Sequence, residues 1–133
     1  MKTAILAALA FACVVSTASA VEKRAVQQNP ISFAKSQQPE TCTASKYGKG
    51  DGYHGKRTAS GAIFNTYARD PYTVAHKTRP LGSWVTVTNQ SNGKSIRAKV
   101  TDRGPYVAGR CVDVGEAGAN DLGMGGLARV RVD

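Results

Sequence analysis

The sequence predicts a small, mainly β protein built as a barrel, and three observations support this prediction. The chain has 133 residues, which suits one compact domain. Its second half contains short runs in which apolar and polar residues alternate, the pattern of half-buried strands. Glycine-rich turns separate these runs, and 14 residues of the chain are glycine. Many short strands with one or two short helices favour a barrel over a layered α/β fold.

The first twenty residues have the pattern of a secretion signal. Lys2 gives a positive start, an apolar run covers residues 4–15, and Ala18-Ser19-Ala20 forms a small-residue cleavage site. We therefore expect cleavage after residue 20 and a secreted or periplasmic protein. The apolar run is too short to cross a hydrocarbon core of about 30 Å as a helix. Two alternatives stay open, a lipoprotein anchor on Cys13 and processing at the dibasic pair Lys23-Arg24.

Residues 21–40 are predicted to be a flexible lead-in, because they are rich in Gln, Ser and Lys and contain few apolar residues. Beyond them the composition changes to short β-type runs without an internal repeat. One domain is therefore predicted over residues 41–133.

The clearest local pattern predicts a β-hairpin. Trp84–Asn89 alternates apolar and polar residues, Asn92-Gly93 supplies the turn, and Ser95–Val100 returns with the same alternation. Val85 and Val87 should therefore share a face with the apolar residues of the returning strand.

Further elements are predicted on both sides of this hairpin. Cys111–Val114 and Leu127–Val132 have the pattern of strands, and Thr43–Tyr47 has a weaker one. Between two of these strands, Glu116–Leu122 is predicted to be a short helix that Gly123 ends.

Removal of the signal leaves two cysteines, Cys42 and Cys111. An even pair in an exported protein predicts a disulfide. The bond closes a loop of about 70 residues, for which the chain-entropy model gives roughly 4 kcal/mol. The two histidines, His54 and His76, lack the spacing of a zinc site, so neither a metal nor a cofactor is predicted.

The charge of the chain predicts an anionic partner. Loss of Lys2 with the signal leaves 17 Lys and Arg residues against 9 Asp and Glu residues, a formal charge of +8. Because the protein is exported, an acidic cell wall or an anionic membrane surface is more accessible to it than nucleic acid. We expect a monomer with no membrane span and no nucleic-acid partner. The alternative is that the basic charge serves only solubility.

Two carboxylates stand at positions where a barrel can bring them together. Asp102 ends an apolar strand just before the turn of Gly104-Pro105, and Asp113 follows 11 residues later within a predicted strand. A strand, a loop and a returning strand can place both at one mouth of a barrel. Carboxylates that meet at a groove can protonate the leaving oxygen of a glycosidic bond. The structural alternative is that each Asp binds nearby backbone N–H groups.

The region from residue 44 to the C terminus resembles the rare lipoprotein A (RlpA)-like domains. The segments that carry the resemblance occur in the order found in that family. They are Ala44–Gly48, His54–Gly61, Val74–Thr78, Val85–Asn89, Asn92–Ser95, Asp102–Tyr106, Gly109–Val114 and Leu122–Met124.

The resemblance implies a six-stranded double-psi β-barrel that acts on bacterial cell-wall glycan. Family members are lytic transglycosylases on peptidoglycan that lacks stem peptides, and expansins are similar in architecture. The family's acid/base candidate matches Asp113, a second aspartate matches Asp102 across the groove, and a histidine associated with activity matches His76. A hydrogen-bonded structural role is the alternative for the histidine.

Five residues are predicted to bind the glycan, and one residue departs from the family. The predicted binding residues are Tyr47, Thr58, Ser60, Arg103 and Tyr106. Ala62 stands where active members commonly carry Glu directly after Thr-Ala-Ser-Gly. Three interpretations therefore stay open: a lytic transglycosylase, a non-catalytic expansin-like module that binds peptidoglycan, and a secreted interaction protein such as a protease inhibitor.

Overall fold

A computed structural model describes residues 37–133 of the chain. The predicted signal peptide, the Cys13 alternative, the dibasic pair and most of the lead-in lie outside the described residues. They stay predictions.

Six strands and one short helix make up the described part of the chain. The elements are β1 (Glu40–Tyr47), β2 (Tyr72–His76), β3 (Trp84–Asn89), β4 (Ser95–Asp102), β5 (Arg110–Gly115), α1 (Glu116–Asp121) and β6 (Leu127–Val132). The six strands close into a barrel in the order β1-β5-β2-β4-β3-β6. Closure pairs every strand on both sides and so removes the free edges of a sheet.

The pairing of the strands combines local hairpins with long crossovers. β1 pairs with β5 and β2 pairs with β4 in parallel, whereas the other four pairs are antiparallel. The predicted hairpin is confirmed, because Val85 lies opposite Ala98 and Val87 lies opposite Ile96 in the β3–β4 ladder.

Alternation along the strands fills the barrel with small apolar side chains. Val85, Val87 and Val100 are fully buried, and Leu122 closes the core beside α1. Burial of such a side chain stabilises the fold by about 1.5–3 kcal/mol. The barrel interior is therefore a packed core rather than a channel.

The structure extends or corrects the strand and helix predictions at several points. β1 starts at Glu40, the last residue of the predicted lead-in, and β4 runs on to Asp102. The helix stops at Asp121, one residue before the predicted end. β2 is a strand that the local residue pattern did not predict, although the resemblance implied six strands.

A disulfide links the neighbouring parallel strands β1 and β5. It joins Cys42 to Cys111, whose Cα atoms lie 5.8 Å apart and whose positions are 69 residues apart in the sequence. The bond therefore connects the first described strand to the strand that carries Asp113. Between residues 37 and 133, no helix has the length and apolarity needed to span a membrane.

Candidate active site

The register of the sheet places both predicted acids in one row across the barrel. Asp113 on β5 lies opposite Ser45 on β1 and opposite Ala75 on β2. Ala75 in turn lies opposite Asp102 on β4, after a register shift in the β2–β4 pair. The backbones of the two aspartates are therefore two strand spacings, or about 10 Å, apart. The small side chain of Ala75 leaves the space between them open.

This row forms the floor of a cleft of about 280 Å³. Asp102, Asp113 and Ala75 line it, as do three of the predicted binding residues, Tyr47, Arg103 and Tyr106. Tyr106 is 83% exposed at the rim, so its ring is free to stack on a sugar. The remaining lining residues are Ser45, Lys46, Tyr53, Gly104, Pro105, Val107 and Arg110.

Asp113 has the electrostatic environment of a proton donor. Partial burial raises the pKa of its carboxyl above the usual range, although the Ser45 hydroxyl donates a hydrogen bond to Oδ1 and Arg110 also favours the charged form. Asp51 and Asp102 oppose ionisation through repulsion. A carboxyl with a raised pKa keeps its proton at higher pH, as a general acid requires.

Gly104 lies beside the second oxygen of the Asp113 carboxyl. Its φ of +118° lies in the region that residues with a Cβ rarely adopt. A Cβ at this position would lie 3.8 Å from Asp113 Oδ2. A side chain here would extend over the carboxyl, so glycine keeps the carboxyl accessible from the cleft.

Asp102 has a structural task as well as a place in the cleft. Its Oδ1 accepts hydrogen bonds from the backbone N–H groups of Ala59, at 3.0 Å, and Arg103, at 2.9 Å. The Ser60 N–H also donates to the Thr101 carbonyl at 3.0 Å. The end of β4 therefore holds the segment that contains Thr58 and Ser60 against the barrel.

Tyr47 presents a buried phenol to the two carboxylates. Its ring stacks on Phe64 with the ring centres 4.3 Å apart. Burial, followed by the charges of Asp102 and Asp113, raises the pKa of this phenol, so the hydroxyl stays protonated. The hydroxyl has no hydrogen-bond partner among residues 37–133. It is therefore an unsatisfied donor on a residue that lines the cleft.

His76 lies beneath the cleft and does not line it. Only 1% of it is exposed. Its Nδ1 accepts hydrogen bonds from the N–H groups of Thr78 and Arg79, both at 3.1 Å. Nε2 therefore carries the proton of the neutral ring and donates it to Glu40 Oε1 at 2.7 Å. Burial lowers the pKa of His76, which favours this neutral form.

The backbone turn that begins at His76 also holds the side chain of Arg103 in place. The Arg103 guanidinium donates from Nη1 to the carbonyl of Arg79 at 2.8 Å and to that of His76 at 3.2 Å. Since Arg103 lines the cleft, His76 acts on the cleft through this turn. A catalytic role for His76 stays a prediction, and these contacts indicate positioning.

Three potential metal ligands cluster at the same place. The ligand atoms of Glu40, His76 and Cys111 all lie within 4.8 Å of one another. The Cys111 sulfur is bonded to Cys42, and the His76 nitrogen that faces the cluster carries a proton. Neither atom offers a lone pair in the form that a metal binds, so this cluster is a hydrogen-bonded pair beside a disulfide.

Thr58 and Ser60 lie outside the cleft. The Thr58 side chain is buried, and its hydroxyl bonds the Ala62 carbonyl and the Ser60 hydroxyl, both at 2.9 Å. Ser60 and Ala62 instead line a second, shallower groove of about 470 Å³. Binding by Thr58 and Ser60 stays a prediction, and the bonds of Thr58 give it a role in the shape of its loop.

Four residues of the site carry no strong local pattern. Ser45 and Ala75 belong to the site because the strand register places them opposite Asp113. Arg110 belongs to it because its charge acts on the Asp113 carboxyl. Glu40 belongs to it because it accepts the hydrogen bond from His76. Ser45, Ala75 and Arg110 fall within segments that resemble the family, so the resemblance was the signal that could have found them. Glu40 lies outside those segments.

The chain forms a closed barrel with two parallel crossovers and a row of carboxylates at its mouth. These features define a class of protein, the double-psi β-barrel domains. The family model described as "Lytic transglycolase" matches residues 40–133, and the chain belongs to this family.

Curated relatives support the same assignment over part of their length. The chain is 45% identical over 92 residues to a probable endolytic peptidoglycan transglycosylase RlpA of a Nostoc species, which covers 68% of this chain and 24% of that protein. It is 42% identical over 108 residues to the endolytic peptidoglycan transglycosylase RlpA of Vibrio cholerae, covering 80% of this chain and 37% of the relative. The chain thus spans well under half of these relatives.

Solved structures share the fold at lower sequence identity. Apo-expansin of Clavibacter michiganensis has a TM-score of 0.55 and 19% identity, with 72% of this chain and 50% of that chain covered. The Streptomyces papain inhibitor has a TM-score of 0.52 and 20% identity, with 71% and 93% covered. A variant of the same expansin, in complex with cellohexaose, has a TM-score of 0.53 and 17% identity over 72% of this chain and 50% of that one.

Proposed function

We propose that this domain is a secreted lytic transglycosylase that cleaves peptidoglycan glycan strands in the cleft between Asp113 and Asp102. The observation that carries the proposal is the row of Ser45, Asp113, Ala75 and Asp102, in which burial raises the pKa of Asp113. The names of the RlpA relatives support this choice of substrate.

The proposed reaction needs one acid that later acts as a base. The protonated Asp113 carboxyl gives its proton to the glycosidic oxygen as the bond from that oxygen to C1 breaks. The C6 hydroxyl of the same sugar then forms a bond to C1 and transfers its proton to the Asp113 carboxylate. The products are an anhydro sugar end and a free hydroxyl end, no water is consumed, and the carboxyl is restored.

The other residues of the cleft have supporting tasks in this proposal. The Tyr47 hydroxyl donates to a sugar oxygen that enters beside it, because Tyr47 lines the cleft and this hydroxyl has no partner in the described part of the chain. Arg103 and the exposed ring of Tyr106 hold the strand along the cleft. The formal charge of +8 after signal removal favours an anionic polymer.

A second candidate function is a wall-binding module without turnover. Ala62 favours it, because the resemblance places a glutamate of the active relatives there. The expansin complex with cellohexaose supports glycan binding by this fold. The described residues that line the groove beside Ala62 include no side-chain carboxylate, so a second acid would have to come from Asp102.

One experiment separates the two functions. The protein is incubated with purified, peptide-free glycan strands, and the soluble products are analysed by mass. A lytic transglycosylase releases fragments lighter by one water than hydrolysis products, and Asp113→Asn releases none. Intact strands that remain bound to the folded protein would support the binding module. Hydrolysed fragments would refute the proposed chemistry.

A further inference from the structure

A second groove lies directly beside the cleft. Its volume is about 470 Å³, and Ala59, Ser60 and Ala62 form one wall while Leu81, Gly82 and Lys99 form another. The hydrogen bond from the Ala59 N–H to Asp102 Oδ1 marks the boundary between the two. Thr101 lines the groove and Asp102 lines the cleft. A glycan strand that passes over Asp102 in the cleft therefore continues into the groove.

Lys99 gives this groove a positive charge without an internal partner. Its side chain is half-buried on β4, opposite Trp84 of β3 and Thr73 of β2. No carboxylate lies within 4.0 Å of its ammonium among residues 37–133. Lys46 and Lys49, by contrast, both pair with Glu116. A half-buried cation that lacks a partner favours an anionic ligand.

The surroundings of Lys99 suit a sugar. The side chain of Trp84 is 46% exposed and that of Leu81 is 38% exposed, which leaves apolar area near the groove for the face of a ring. The Arg97 guanidinium lies 4.8 Å from the Trp84 ring centre and adds a second cation on the same strand. Ala62 adds no charge to the opposite wall, so within residues 37–133 Lys99 is the only charged side chain that lines the groove.

We infer that the groove is a subsite for a carboxylate-bearing sugar, which Lys99 binds through its charge. This inference rests on the proposed function, since it concerns the glycan that occupies the cleft. Muramic acid without a stem peptide carries a free lactyl carboxylate and fits this chemistry. Neutral glycans such as chitin and cellulose do not. Lys99 is thus a specificity-determining residue.

The test compares two forms of the same polymer and three variants of the full secreted chain. The polymer is peptide-free glycan strand, either with free carboxylates or with the carboxylates methyl-esterified. The variants are Lys99→Gln, Lys99→Arg and the control Lys94→Gln, which removes an equal charge from the exposed β3–β4 turn. Affinity is measured for each pair at physiological salt, where a Debye length of about 8 Å screens the general charge of the protein.

Wild type, Lys94→Gln and Lys99→Arg should bind the free acid about tenfold more tightly than the ester, the range of one charge-assisted hydrogen bond. Lys99→Gln should lose most of this preference, keeping only what the general positive charge of the protein gives, and should still show a cooperative thermal transition. The inference is overturned if Lys99→Gln discriminates as the Lys94 control does, or if wild type binds both forms equally. In those cases the proposed function stands, whereas wild type that binds neither form overturns both.

Discussion

Replacement of Asp113 by Asn should make the domain more stable at neutral pH while removing its activity. Wild type must hold a partly buried carboxylate, since burial raises the pKa of Asp113. Asn has nearly the same shape, and its Oδ1 can still accept the hydrogen bond from the Ser45 hydroxyl. The substitution therefore removes the charge and keeps the local packing.

The pH dependence of this effect has a definite sign. Because the folded state holds the Asp113 proton more tightly than the unfolded state does, wild type loses stability as pH rises from the unfolded pKa to the folded one. Below the unfolded pKa of about 3.9 the carboxyl is neutral in both states, and the variant and wild type should be equally stable. Above the folded pKa the variant should keep a constant advantage.

The size of this advantage is limited by the open cleft. Water screens a half-buried carboxyl, and Arg110 offsets part of the cost of burial. We expect about 1 kcal/mol at pH 7, the order of magnitude of other stabilising single substitutions. For a domain of this size, that raises the thermal midpoint by about 4–8 °C. Glycan cleavage should fall by about 10²–10⁴-fold, the usual contribution of general acid catalysis.

Thermal unfolding of both proteins between about pH 3 and pH 8 measures the effect. The difference in midpoint should be near zero at the acidic end and should grow as pH rises. A variant that is less stable than wild type at neutral pH, or a difference that does not change with pH, would refute the electrostatic reasoning. Ala75→Val is a suitable comparison, because it crowds the cleft between the acids without changing charge.

Four further predictions test other parts of the structure. Asp102→Asn should keep the hydrogen bond from the Ala59 N–H, whereas Asp102→Ala should lower the free energy of unfolding by about 1–3 kcal/mol and expose the loop around Ala59 to proteolysis. Equal stabilities of the two variants would contradict a structural role for this bond. Thiol labelling of the unfolded, unreduced protein should find Cys42 and Cys111 without a free thiol, and two labelled thiols would contradict the disulfide. Reduction should lower the free energy of unfolding, measured by denaturant titration, by roughly 4 kcal/mol. Retention on peptidoglycan should fall as salt shortens the Debye length to about 8 Å at physiological ionic strength, and salt-independent retention would indicate stacking instead. If wild type binds glycan without cleaving it, Ala62→Glu should release anhydro products, and continued inactivity of a folded, glycan-binding variant would favour the non-catalytic function.

The sequence predicted those elements whose partners are close in the chain. The β3–β4 hairpin was predictable because alternation and an Asn-Gly turn act within about twenty residues. β2 gave no such signal, since its five residues pair with β4 and β5, which lie more than twenty residues away. A short strand buried between distant partners needs neither a local turn nor a long alternating pattern.

The sequence predicted the two acids of the candidate site but not the residues that surround them. Asp102 and Asp113 stand beside recognisable turns and strands, so their meeting at one mouth could be expected. Ser45 and Ala75 join the site only through the register of crossover strands. The positions of Thr58 and His76 also depend on bonds that no spacing shows, such as that from His76 to Glu40.

The two aspartates differ in how their surroundings hold them. Asp102 Oδ1 accepts two backbone N–H groups, which fix its side chain against the loop that contains Ala59. Asp113 has one hydroxyl donor and a partly buried position that favours the protonated acid. One carboxyl therefore serves positioning, and the other, whose pKa is raised by burial, serves proton transfer. The chemistry of the cleft should therefore depend on Asp113, and its shape on Asp102.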